Sequence, residues 1–384
     1  MERIVFLSEG RINILENSCV KALECEIAET YRERAREIRR NKEWKQSGTG
    51  AQFMGSSMFT GVFQEPSIMD IKLPVTGVSR VSCECDERLI YAINFETGGG
   101  VYYTYTTTDA QDTHIFVNTT TSFYELDVNS SGVVAVSCAN SHIERHISLL
   151  DIEKNDFHSI TDGECSDCNP RWSRKNENVL YYDSAGIGYD SGGRYAGFGP
   201  RSVYKLNVKT GELDEILVGG EFEYVSPYED ADGNLYFIRR PYKPAGGKMS
   251  LKDFLLAPFK FLKAIGGWMD FFSRRYTGEP LNTAGVNPAK ANQKSPQQIF
   301  IDGNLLESEK NLKLNAATGD KNPGYAPRNW ELIVKSPDGE EKILQKSVMS
   351  YCVTKDAIVY SNGKYIISEK EAVKVHLAMK LTAC

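Results

Sequence analysis

Apolar and polar positions alternate along most of the chain in short runs, and one arrangement of these runs occurs twice in succession. The segment ISLLDIEKNDFHSIT, Ile147 to Thr161, is matched 56 positions later by VYKLNVKTGELDEIL, Val203 to Leu217. Leu150 answers to Leu206, Asp151 to Asn207, Ile152 to Val208, Phe157 to Leu213 and Ile160 to Ile216. Each copy places two alternating runs around a polar turn, Lys154-Asn155 or Lys209-Thr210-Gly211, which is a hairpin signal. Between the copies, Trp172, Asn178 and Tyr181 answer by the same offset to Tyr228, Asn234 and Phe237. A recurring unit of four short strands predicts an all-β chain built of propeller blades.

Further units flank this pair. Val78 to Val117 and Ser122 to Thr161 read as blades, and Asp167 to Leu217 is the clearest. Phe222 opens another, whose second hairpin arrives only at Trp330 to Leu344. Arg3 to Glu24 holds two or three strands, and Val353 to Val375 has the form of a whole blade. A ring of blades must close, and the tail LAMKLTAC, Leu377 to Cys384, is expected to supply the strand that the N-terminal blade lacks. Counting Gln52 to Val75 as a blade gives a ring of seven, the favoured number; without it the ring has six.

The hydrophobic period changes in two places. From Glu26 to Lys45 the apolar residues Ile27, Tyr31, Ala35 and Ile38 fall at helical spacing, and Ser47-Gly48-Thr49-Gly50 stops them, so 26–50 reads as a helical connection. Residues 241–328 form the second departure, an insertion into what is otherwise a single domain over 1–384. Its first half, Ser250 to Tyr276, carries a broad apolar stripe of Leu251, Phe254, Leu255, Phe259, Leu262, Ile265, Met269 and Phe272, with Trp268 beside it and Lys252, Lys260 and Lys263 off it. Pro258 should kink this helix and Gly266-Gly267 should break it. Thr277 to Pro327 reads as a loop with one hairpin at IFIDGNLLE.

Strand direction then sorts the connections. With strands a, b, c and d alternating up and down, b–c and d–a connections leave one end of the ring, and a–b and c–d connections leave the other. The Glu26 helix and the Cys165 corner are d–a connections, while the loop Ser184 to Pro200 and the long insertion are b–c connections. All four elaborations fall on one face, and elaborated loops on a rigid scaffold are where function usually sits.

Composition narrows the reading. Hydrophobic residues at 41% and charged residues at 25% are those of a folded soluble chain. A net charge of −6 speaks against a general nucleic-acid binder, which carries a basic footprint. The N-terminal apolar run is too short for a signal peptide, and no run reaches the ~18–20 residues of a membrane span. Nine cysteines, an odd number, with Cys83, Cys138 and Cys352 in strand-like runs, point to a reducing, cytoplasmic location.

The stretch from Ile147 to Tyr182 resembles the repeat of TolB-like β-propellers. The corresponding residues are Asp151, the corner Ile160-Thr161-Asp162-Gly163 and the segment Pro170-Arg171-Trp172-Ser173. The match covers about one and a half blades, and it departs where Asp-Gly follows the serine in that family, this chain having Lys175-Asn176-Glu177-Asn178. The resemblance implies a six- or seven-bladed propeller and little about activity, because the fold serves many roles. Related propellers occur beside an α/β-hydrolase domain, but this chain has no G-x-S-x-G element with a following Asp and His.

Candidate chemistry is sparse. Cys165-Ser166-Asp167-Cys168 has C-x-x-C spacing without the second ligand pair of a structural zinc site or the helix of a redox motif, and reads as ordinary thiols in a corner. His142 and His146, four apart on a strand, would stand roughly 13 Å from each other, too far for one ion. The Gly186 loop lacks the spacing of a phosphate cradle. Tyr189, Arg194, Tyr195 and Phe198 suit it instead to recognition. The arginine-rich helix at Glu26 carries offsetting glutamates and reads as a solvated face. The Leu251–Phe272 stripe suits either a partner protein's groove or a membrane surface, or caps the propeller itself.

These readings lead to a non-catalytic scaffold that contacts a protein partner through Leu251, Phe254, Leu255, Phe259, Leu262, Trp268, Phe272, Tyr189, Arg194, Tyr195 and Phe198. No catalytic residue, cofactor, metal, small-molecule substrate or nucleic acid is expected. The alternatives are a propeller enzyme of hydrolase or lyase type with its site on the same face, and a peripheral membrane protein using the 250–276 helix.

Overall fold

The alternating runs form six four-stranded antiparallel sheets arranged as a six-bladed β-propeller in the computed structural model. The structure describes residues 3–31, 33–34, 37, 75–80, 88–95, 98–106, 112–139, 143–189, 195–243, 298–301, 304–355 and 357–383. The first blade holds β1 (Ile4–Ser8), β2 (Arg11–Glu16) and β3 (Cys19–Ala22). The second holds β4 (Val75–Arg80), β5 (Arg88–Asn94), β6 (Gly99–Tyr105) and β7 (Thr113–Asn118). The third holds β8 (Ser122–Val128), β9 (Val133–Ala139), β10 (His146–Asp151) and β11 (Asp156–Ser159). In the fourth, β12 (Cys165–Trp172) and β13 (Val179–Tyr189) are followed by the short β14 (Tyr195–Phe198), then by β15 (Ser202–Asn207) and β16 (Leu213–Leu217). The fifth begins with β17 (Phe222–Glu229) and β18 (Leu235–Pro241). A separate hairpin, β19 (Gln298–Ile301) and β20 (Asn304–Glu307), and helix α1 (Ser308–Ala317) intervene before its β21 (Glu331–Lys335) and β22 (Glu341–Lys346). The sixth holds β23 (Ser350–Val353), β24 (Ile358–Ser361), β25 (Tyr365–Ile367) and β26 (Ala372–Lys374).

The last strand, β27 (Met379–Ala383), pairs with β1 as the inner strand of the first blade, the expected closure from both termini. Inner strands of neighbouring blades then meet around the whole ring, and the Tyr351 hydroxyl donates to the Ser226 carbonyl at 2.7 Å between the sixth and fifth blades.

Each blade is sandwiched between two others, so its middle strands bury both faces and read as near-continuous apolar runs. Leu89 to Ile93 of β5 are all buried. One core cluster joins Ala135, Ile147 and Leu149 of the third blade to Trp172, Leu180, Tyr182 and Leu206 of the fourth. The next joins Tyr181, Val203 and Leu217 to Leu235, Phe237 and Ile333 of the fifth. The outer strands are mostly exposed, because one of their edges and part of each face meet water.

Six is the lower of the two expected blade numbers; the Gln52–Leu73 stretch counted towards a seventh lies outside the described residues, and Val75 begins β4. The predicted loop from Thr277 to Pro327 is corrected by α1. That helix lacks an apolar stripe, and it is held by polar contacts: Asn315 Nδ2 donates to the carbonyls of Gly324 and Ala326, both at 2.9 Å. Leu251, Phe254, Leu255, Phe259, Leu262, Trp268 and Phe272 lie outside the described residues, as does the Glu26 helix beyond its first turns except for scattered positions. The blades fall in one compact unit, Met1–Ala28, Pro74–Ala245 and Pro296–Cys384, and Glu29–Leu73 with Gly246–Ser295 make a second.

The repeat extends to its turns. Asp151 Oδ1 accepts from the backbone N–H groups of Glu153 and Lys154, and Asn207 Oδ1 accepts from Lys209 and Thr210 in the corresponding turn. Asx turns of this kind replace backbone partners that a tight reversal would otherwise leave to water. Asn207→Ala is expected to lower stability by about 1 kcal/mol, measured by urea unfolding; a loss indistinguishable from zero would remove the turn from the account.

Candidate functional site

The connections after β3, β11, β13 and β18 are d–a or b–c, and by the antiparallel order of the strands they leave the same end of their sheets. The opposite end carries short reversals among the described residues, such as Asn129 to Val133, Ser173 to Asn176 and Asp230 to Asn234, each closed by its first side chain.

The glycine-rich segment after Ser184, expected as a recognition loop, carries a pair of strands. β13 runs on to Tyr189 and pairs with β14, Gly188 facing Gly197. A Cβ at Gly188 would stand 3.3 Å from the Gly197 carbonyl oxygen, so the glycines admit the close approach of these two strands. Tyr189 is exposed near the hairpin tip, whereas Tyr195 and Phe198 are half-buried and meet edge to face at 5.5 Å. The Tyr242 hydroxyl donates to the Phe198 carbonyl at 2.7 Å and ties the base of the hairpin to the fifth blade. Arg194 lies outside the described residues.

Below this face, the inner strands fill the channel with paired charge. Lys380 of β27 reaches across to donate to Asn169 Oδ1 at 2.7 Å and pairs with Glu125 Oε1 at 3.0 Å. Asn169 Nδ2 donates to Asp183 at 2.6 Å, and Arg201 Nη1 donates to the same carboxylate at 2.8 Å and to the Ser166 carbonyl at 3.0 Å. Arg145 stacks on the Tyr124 ring, its guanidinium carbon 3.7 Å from the centroid, and donates to Cys168 Sγ at 3.7 Å. Three blades, the first, third and fourth, are thus linked through one polar network. A cleft lined by Gly77, Glu125, Asn169, Arg171 and Lys380 adjoins it. Gly77 is required there: a Cβ would fall 2.2 Å from the Tyr124 carbonyl oxygen of the neighbouring inner strand.

At the start of β12 the third and fourth blades touch through backbone. Arg145 and Ser166 form a parallel bridge, with Arg145 N donating to the Cys165 carbonyl at 3.2 Å and Asp167 N donating to the Arg145 carbonyl at 2.9 Å. This sets His146 beside Cys165, Nδ1 3.9 Å from Sγ, and Asp167 joins them with all three donor atoms within 4.8 Å of one another. Cys165 and Asp167 share a face because they are two apart on a strand, while Cys168, three on, points the other way. Thr161 Oγ1 accepts from Ile147 N at 2.8 Å and donates to Asp167 Oδ2 at 2.6 Å. Burial, with the adjacent Asp167 carboxylate, pushes the Cys165 thiol up to about 12. It is therefore held as a thiol, unlike an activated nucleophile, whose pKa is depressed. Reading His142–His146 and Cys165–Cys168 as separate pairs missed this grouping. The two-residue spacing of Cys165 and Asp167 was the available signal, and the approach of His146 from another blade left none.

No protein-family model matches the chain, and no curated protein matches it. Solved structures similar to it include TolB from Acinetobacter baumannii, 9% identical with a TM-score of 0.46, the match covering 99% of this chain and 66% of that one. A chain of a nidogen/laminin complex is 9% identical with a TM-score of 0.47, covering 100% and 98%. The tricorn protease is 12% identical with a TM-score of 0.45, covering 97% of this chain and 33% of that one. A second TolB structure, from Agrobacterium tumefaciens, is 10% identical with a TM-score of 0.41, covering 62% of this chain and 66% of that one.

Proposed function

We propose that the chain is a non-catalytic propeller scaffold that binds a protein partner through the face carrying its b–c and d–a connections. The observation that carries this reading is the pairing of β13 with β14, which presents Tyr189 at 40% exposure, while the opposite-end connections among the described residues are short turns. An aromatic held on a paired strand loses little entropy on binding, which favours it as an anchor. The paired charges of the network between the inner strands also favour a binding role over a catalytic one. A reducing compartment such as the cytoplasm fits the buried thiols of Cys138 and Cys168.

Affinity capture from the native cell with quantitative mass spectrometry tests the reading, comparing wild type, Tyr189→Ala and a deletion of 250–276. Loss of an anchoring aromatic costs ~2 kcal/mol or more, roughly a thirtyfold weakening, so partners of the wild type should be depleted with Tyr189→Ala. An identical set of captured proteins with both variants would overturn the assignment of this face.

A further inference from the structure

We propose that His146, Cys165 and Asp167 bind a single Zn2+ ion through Nδ1, Sγ and a carboxylate oxygen, with water in the fourth position. This does not rest on the scaffold reading. Among the described residues they form the one group of His, Cys, Asp and Glu side chains close enough to share an ion. A tetrahedral zinc ion with bonds of about 2.0–2.3 Å holds its ligand atoms roughly 3.2–3.8 Å apart. The Nδ1–Sγ separation is 3.9 Å, and no pair exceeds 4.8 Å, so small side-chain rotations close the set.

The backbone supports are rigid. Cys165 and Asp167 sit on an inner strand, and the Arg145–Ser166 bridge locks the entry to β10, and with it His146, against that strand. Asp167 is almost wholly buried, and Thr161 holds its Oδ2 by a hydrogen bond, the outer support that orients a ligating carboxylate. His146 and Cys165 remain partly open to solvent on the elaborated face, which provides the entry path.

The donor set selects the metal class. One thiolate, one imidazole and one carboxylate suit zinc, whereas magnesium and calcium call for oxygen ligands throughout. On binding, the Cys165 S–H bond breaks, an S–Zn bond forms and the proton passes to water. The thiolate and carboxylate together cancel the charge of the ion.

The test uses the full chain, stripped of metal under reducing conditions and titrated with Co2+ as a spectroscopic stand-in, then with Zn2+. Wild type should take up one Co2+ with a thiolate-to-cobalt charge-transfer band in the near ultraviolet, which Zn2+ abolishes by displacement. Cys165→Ser should lose the band, and His146→Gln should weaken binding by about tenfold or more. Cys19→Ser, which removes an exposed thiol of the first blade, should bind as wild type does. Zinc should raise the thermal midpoint of wild type and of Cys19→Ser, raise that of His146→Gln less, and leave that of Cys165→Ser unchanged, since a ligand stabilises only the state it binds. Absence of stoichiometric binding in wild type overturns the proposal, as does a Cys165→Ser protein that retains wild-type affinity. Should Cys165→Ser not fold, by far-ultraviolet circular dichroism, His146→Gln decides alone: unchanged affinity overturns the site.

Discussion

Asp183→Ala is expected to lower the stability of the propeller by about 3–5 kcal/mol, the cost of stripping one partner from a buried ion pair. Asp183 lies on β13 with no exposed surface. One carboxylate oxygen accepts from Arg201 at 2.8 Å, and the other accepts from Asn169 Nδ2 at 2.6 Å and from the backbone N–H of Ser226 at 2.9 Å. These donors come from the inner strand of its own blade, the start of β15 and the inner strand of the fifth blade. Alanine leaves them facing a void, with the Arg201 charge almost fully buried. Asp183→Asn keeps the volume but turns an NH2 group towards donors, so an intermediate loss of about 1–3 kcal/mol is expected. Urea unfolding measures both as a shift of midpoint at constant slope. A loss below about 1 kcal/mol for the alanine variant would show that the network orders the channel without stabilising it.

Deleting β27 should have the larger effect, abolishing the cooperative unfolding transition. β27 places Thr382 opposite Val5 and Met379 opposite Leu7, and Leu381 packs among Ile4, Phe6, Leu15, Cys352, Val359 and Ile366. Leu381 N also donates to Ser350 Oγ of the sixth blade at 3.1 Å. Without the strand, β1 becomes an unpaired edge whose Ile4 and Val5 lose their cover, and the first blade no longer bridges the second and sixth. Total stability of a folded domain is only about 5–15 kcal/mol, which the loss of a central strand exhausts. Leu381→Ala grades the same effect, with an expected cost of about 2–5 kcal/mol. Circular dichroism during heating checks both. A truncated chain that melts as sharply as wild type would mean that the ring does not depend on this closure.

Much of the propeller was legible because its signals are local. Alternation over four to seven residues and turn residues such as Asp151 and Asn207 lie within one blade, and the 56-residue offset relates one blade to the next along the chain. Antiparallel order within the blade then assigned each connection to a face without any tertiary information. The closing strand was legible for a related reason: a ring of four-stranded units leaves a countable vacancy, and the tail has the strand pattern to fill it. α1 escaped notice because its stability comes from Asn315 and the chain that Asn315 ties down, contacts that give no apolar period. The Gly186 segment did not read as a strand pair because glycine weakens a strand in isolation. Only pairing with β14 converts that close-approach capacity into structure.

The candidate sites divide along the same line. Tyr189, Tyr195 and Phe198 were found as an aromatic group in one segment, and their placement on a hairpin follows from near neighbours in the chain. The channel network and the His146–Cys165–Asp167 group join residues from different blades, 211 positions apart in the case of Lys380 and Asn169. Local alternation of apolar and polar residues determines which strands form, in what order and with which face inward. It says nothing about which polar side chains meet when blades pack, because such pairs are set by the angle and depth at which one sheet lies on the next. That arrangement belongs to the closed ring alone, and with it come the buried charges and the donor cluster.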